Sequence, residues 1–165
     1  MHTTGSSKRS LLATVLLAGF VAGTLDIIAA LSQYYINTGK NPLIVLNYIA
    51  SAALGKETAY APGVGMQLVG LAFHYVITYG LTVFFFWLYP RWHALSRSVA
   101  LTSIAYGLFA WCVTNLVIVP LSYLNKFPSN PKNMLIAALI LIFMIGLPLT
   151  LFARNYFRKA GSFKD

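Results

Sequence analysis

Four stretches of this chain, Leu11 to Ile36, Val64 to Tyr89, Val99 to Leu124 and Met134 to Ala153, are apolar and almost empty of Asp, Glu, Lys and Arg. Each can cross a bilayer, because about 30 Å of hydrocarbon at 1.5 Å per residue takes roughly 20 residues. A soluble helical protein needs a polar face on every surface helix, and these runs offer none. Charged residues make up only 9% of the chain, against roughly 25% in soluble domains. The expected fold is therefore a single all-α membrane domain, a bundle of four transmembrane helices.

Lys8 and Arg9 before the first run resemble a secretory leader, and Ala18, Phe20 and Ala22 permit a small-residue cleavage site. The apolar run continues through Ala30, longer than a leader's core, so a retained first helix is the expectation.

The net charge of +9 would suggest nucleic acid in a soluble protein. Here the basic residues sit at helix ends and in loops, where they set orientation instead. One side carries eight (Lys8, Arg9, Arg91, Arg97, Arg154, Arg158, Lys159, Lys164) and the other four (Lys40, Lys56, Lys126, Lys132). The positive-inside rule then puts both termini in the cytoplasm. Trp87, Tyr89, Trp92, Tyr156 and Phe157 are expected at the inner interface, and Tyr34, Tyr35 and Tyr123 at the outer one.

The first loop holds Pro42 to Leu54, apolar but too short to cross. Asn41 as cap, Pro42 in the first turn and Gly55 as terminator predict an interfacial or re-entrant helix, with Asn47 and Ser51 as its polar stripe. It serves either as a simple cover or as a gate over a cavity. Pro128 to Pro131 reads as a turn between the third and fourth spans.

The four runs contain one acid, Asp26. A charge at the bilayer centre costs about 2.5 to 3.5 kcal/mol on insertion scales, so it needs company. At 100° per residue Asp26 shares a face with Gly19, Gly23, Ala30 and Gln33, and the G-x-x-x-G step lets that face approach a neighbouring helix closely. Gln67, Gly70, His74 and Thr78 align on the second span, and Trp111, Asn115 and Ser122 on the third. Counted from the span ends, Asp26, His74 and Asn115 fall at nearly one depth, which predicts that they meet. Ile142, Phe143 and Met144 would face them as an apolar wall. Pro120 frees the carbonyl of Leu116 and Pro148 that of Met144, adding possible ligands beside the cluster.

Low dielectric disfavours charge on Asp26 and His74, and their mutual attraction favours it, so the two titrate as a coupled unit suited to proton exchange. A purely structural bundle uses the same trio as polar glue, at about 0.6 kcal/mol per hydrogen bond. Both readings stand at this point. His93 and His2 read as solvated, Glu57 as a local ion pair with Lys56, and Cys112 as a small core residue.

Catalytic and phosphate-binding motifs are absent, so no residue set proposes a reaction or implies a cofactor. A single carboxylate cannot build a divalent-metal cage.

Gly23, Thr24 and Asp26, then Gly70, Phe73, His74, Tyr89 and Pro90, then Asn115 and Val119 to Ser122 carry a resemblance, over Leu11 to Ser122, to small uncharacterised multi-pass inner-membrane proteins of bacteria, including the YagU-like proteins. The resemblance implies a bacterial inner-membrane location and a part in acid tolerance.

Three roles follow: a non-enzymatic membrane protein handling protons or a small polar solute; an interaction subunit docking its small-residue faces onto a larger membrane complex; and a membrane-embedded lipid enzyme. Four spans make a small enclosure, so transport would call for a homo-oligomer or a partner besides the lipid bilayer.

Overall fold

The computed structural model describes residues 10–160, so Lys8, Arg9, Lys164 and His2 lie outside the described residues. Every regular element among the described residues is helical. In chain order these are α1 (Leu11–Thr38), α2 (Ile44–Leu54), α3 (Lys56–Ala59), α4 (Gly65–Leu88), α5 (His93–Arg97), α6 (Val99–Leu121) and α7 (Pro131–Lys159). Helices α1, α4, α6 and α7 are long and apolar enough to cross a membrane.

Side-chain caps mark where three of the four long helices begin. Ser10 accepts from the Ala13 N–H, Ser98 from that of Leu101, and Asn130 from that of Asn133, with Pro131 in the first turn of α7. Asn41 accepts from the Leu43 N–H in the turn before α2, but the helix itself begins at Ile44 after Leu43, later than expected and without a side-chain cap, because Pro42 and Leu43 are used in that turn. Gly39 ends α1 in the left-handed region at φ 66°, where a Cβ would be strained. The fourth long helix runs from Pro131 to Lys159, beyond the expected 134 to 153, because its polar last turns simply continue the helix.

The four long helices do not form a square. α1 lies between α4 and α7, and α6 packs on α7. That last crossing is backbone-close: a Cβ on Gly107 would run into the Ile142 backbone, and one on Gly146 into the Ser103 carbonyl. Helix α2 lies directly on α4, where a Cβ on Gly70 would strike the Leu46 carbonyl. Gly19 and Gly23 instead receive rings. Tyr79 and Tyr75 of α4 fill these notches, and their hydroxyls bond the Leu16 carbonyl (3.0 Å) and Thr24 Oγ1 (2.8 Å) of α1. The expected small-residue face is thus packed against the chain's own α4.

Away from α2, aromatic side chains bridge α4 to α6. The Phe85 and Tyr106 rings lie 4.4 Å apart, and the Tyr106 hydroxyl donates to the Leu81 carbonyl. Tyr89 and Phe157 stack at 5.7 Å within this core. They are buried there, not interfacial as the sequence suggested, because the aromatic cluster needs them to close that end. Trp87, Trp92, Tyr35 and Tyr123 are exposed, as interfacial residues would be. Cys112, expected in the core, is exposed too.

Both prolines inside long helices follow a π-helical stretch, Val113–Ile118 before Pro120 and Ile142–Gly146 before Pro148. A proline ring collides with the carbonyl four residues back, and widening the preceding turn relieves the collision. The residue before each proline accordingly donates five residues back, Val119 to Thr114 and Leu147 to Ile142.

Gly146→Ala should destabilise the fold by about 1–3 kcal/mol, as overpacking does. Gly80→Ala, where an added Cβ meets nothing, should be neutral or slightly stabilising. Thermal unfolding in detergent measures both, and equal melting points would contradict the backbone-close crossing.

Candidate functional site

Where α4 and α6 part, beneath α2, lies a chamber of about 370 Å³. Asp26 and His74 line it, with Gln33, Asn115, Thr78 and Ser122 among its polar groups. A second chamber of about 670 Å³ lies between the α2 end of α1 and the segment joining α6 to α7, and its rim includes Asn37, Thr38, Lys126 and Asn130. Gln33, Tyr48, Asn115 and Val119 are among the residues that border both chambers, which adjoin at this neck. Asp26 is twelve residues from Thr38 along α1, roughly 18 Å below the rim at 1.5 Å per residue.

The site's centre is the pair. His74 Nδ1 lies 4.0 Å from Asp26 Oδ2, and His74 Nε2 lies 2.8 Å from the carbonyl oxygen of Gly23. A carbonyl only accepts, so Nε2 must carry hydrogen. In a neutral ring Nδ1 then bears a lone pair, and it faces the carboxylate. Two lone pairs facing each other without a proton repel, so the arrangement calls for one proton on the pair, whether on the acid or on the ring. At 4.0 Å the gap exceeds a hydrogen bond and is too narrow for an intervening water, so a small side-chain rotation suffices to make or break the direct contact. Tyr75 meets the His74 ring edge-on at 5.5 Å, fixing its plane.

Asn115 reaches the same chamber but donates its amide one turn back, to the Trp111 carbonyl at 3.1 Å. Its Oδ1 remains as acceptor. Pro120 gives no N–H to the Leu116 carbonyl, and Val119 donates to Thr114 in place of Asn115.

Gln67 borders neither chamber. It shares a helix face with His74, but α2 crosses α4 at Gly70, one turn nearer the site, and helical periodicity alone does not foresee that crossing. The apolar wall from α7 consists of Ala137, Ile140, Leu141 and Ile145 and not Ile142, Phe143 and Met144. Ile142 is spent on Gly107 and Phe143 is exposed, since the π-helical turn shifts the face. Pro148 is buried in α7, away from the chambers.

Helix α2 contributes Val45, Tyr48, Ile49 and Ala52 as a wall of the inner chamber. Its polar stripe is spent on anchoring: Asn47 donates to the Ala59 carbonyl (2.7 Å) and Ser51 to that of Tyr48. The Ala52 carbonyl accepts from the Tyr123 N–H at 3.0 Å, tying α2 to the end of α6. The role of Tyr48 at the neck was missed in the sequence, as was the Gly107 to Gly146 crossing. Ser103 and Gly107, spaced four apart, carry the same small-residue signal as Gly19 and Gly23.

No cluster of three or more His, Cys, Asp or Glu that could hold a metal occurs among the described residues. No protein-family model matches the chain, and neither a curated protein nor a solved structure matches it.

In a Cys112→Ser background, Gln33→Cys at the neck should react with a water-soluble methanethiosulfonate, whereas Thr150→Cys, fully buried in α7, should not. Mass spectrometry reads the adducts. An unreactive Gln33→Cys would mean that the outer chamber does not reach the inner one.

Proposed function

We propose that the chain is a non-enzymatic multi-pass protein of a bacterial inner membrane, both termini cytoplasmic, in which Asp26 and His74 take up and release a proton or a small polar solute. The role is one of transport or stress tolerance. A carboxyl and an imidazole that share one proton, set in an apolar chamber reached from one side, are what such exchange requires. The observation that carries this reading is His74 itself, held by the Gly23 carbonyl through Nε2 so that Nδ1 points at Asp26.

Burial favours the proton-shared, net-neutral state of the pair over separated charges. Purely structural glue would satisfy the carboxyl directly. Here it lies beyond hydrogen-bond distance of the imidazole and borders a chamber. The positive ends of the long helices support the orientation. Arg91, Arg97, Arg154, Arg158 and Lys159 gather opposite α2, and that bias marks a cytoplasmic side. The chambers then face outward.

Asp26→Asn keeps the shape and removes the titrating group. In proteoliposomes carrying a trapped pH dye, the wild-type protein should dissipate an imposed pH gradient and Asp26→Asn should fall to the protein-free rate, with yield and oligomeric state unchanged. An unaltered rate would reject the reading.

A further inference from the structure

We propose that the inner chamber binds a monovalent organic cation, an ammonium group on an apolar body, and that each cation bound displaces the one proton held by Asp26 and His74. The inference rests on the proton-handling reading above and adds the class of ligand and the stoichiometry.

Three of the chamber's polar groups direct a hydrogen to the backbone. His74 Nε2–H is directed to the Gly23 carbonyl, Asn115 Nδ2 to that of Trp111, and Ser122 Oγ to that of Val119 at 2.7 Å. His74 Nδ1 and Asn115 Oδ1 remain as acceptors beside the Asp26 carboxyl, while Gln33, Thr78, Thr114 and Tyr48 add neutral groups that can donate or accept. Asp26 is the one acid on this lining among the described residues, and with the acceptors around it and no basic side chain opposite, the chamber suits a cation better than an anion. No Lys or Arg lines the inner chamber among the described residues. Lys126 belongs to the outer rim. The remaining wall is aliphatic and aromatic, including Phe73 and Ile77 of α4 and Leu141 of α7, which calls for an apolar body.

Charge balance sets the exchange. With one proton the pair is neutral, as Asp⁻ with His⁺ or as two uncharged groups. When a permanently charged ammonium enters, the low-dielectric chamber returns to neutrality if the proton leaves, giving Asp⁻ beside the cation and a neutral His74. No bond other than that to the proton breaks. The titratable groups facing the pair are few. Tyr75 of α4 has its hydroxyl on Thr24. Tyr48 of α2 has a phenol that burial, with Tyr60 nearby, pushes above its ordinary value, so it stays protonated. Helices α6 and α7 contribute no titratable residue to this lining among the described residues.

The probe is benzyltrimethylammonium, whose charge is permanent, so any released proton comes from the protein. Calorimetric titration of the full chain in nanodiscs, at neutral pH in phosphate and in Tris, gives the proton count from the difference in buffer ionisation heat. The expected result is about one proton released per cation bound, with the uncharged isostere neopentylbenzene binding at least tenfold more weakly. Asp26→Asn should lose the cation by a similar factor. Binding without proton release, or equal binding of the uncharged analogue, would overturn the inference, and both are read on the wild-type protein. Absence of cation binding in a protein whose gradient dissipation still requires Asp26 would overturn the ligand class alone. Dissipation that survives Asp26→Asn would remove the underlying proton reading.

Discussion

A carboxyl group removed from water needs a partner, and in this protein the group that faces Asp26 is the imidazole of His74. The Gly23 carbonyl makes that arrangement specific. By taking the hydrogen of Nε2, it leaves Nδ1 to face Asp26 Oδ2 at 4.0 Å. The two side chains come from adjacent helices, and the carbonyl that orients the ring lies three residues before the acid it faces. Any shift of α4 along α1 would break both relations together, so the register of these helices and the state of the pair are linked.

That register is set by tyrosines in glycine notches. Tyr75 and Tyr79 fill the space left at Gly23 and Gly19, and each ties its hydroxyl back to α1. On the other side of α1, α7 carries α6 through the crossing of Gly107 and Gly146. Contact between α4 and α6 is left to aromatic rings at the end away from α2. The opening at the other end is the chamber, and the π-helical turn before Pro120 places Asn115 on its border. Close packing in one half and a gap in the other thus have one origin, the unequal distribution of glycine and aromatic residues along the helices.

Much of this was legible from residue spacing. The four long helices, the short helix after Asn41, and the placing of Asp26, His74, Gln33 and Asn115 along one chamber follow from run length, helical periodicity and depth counting. What periodicity misses is anything set by a neighbour. Gln67 has the right phase and is cut off by the crossing of α2 at Gly70. Ile142 to Met144 have the right depth, and the π-helical turn rotates them away from the site. Tyr89 and Phe157 look interfacial by position, yet the core at that end requires their rings. Asn115 has the right depth and phase, but the partner of its amide is its own helix, a choice that only the local backbone decides.

The proton of the pair is the decisive observable. Solid-state NMR of protein labelled with 13C-aspartate and 15N-histidine in lipid at neutral pH reports both groups at once, with Asp26→Asn and His74→Gln samples for assignment. A protonated carboxyl beside a neutral ring, or a carboxylate beside an imidazolium, is the predicted result, with hydrogen on Nε2 in either case. A bare carboxylate opposite a neutral ring, or a hydrogen on Nδ1 alone, would contradict it.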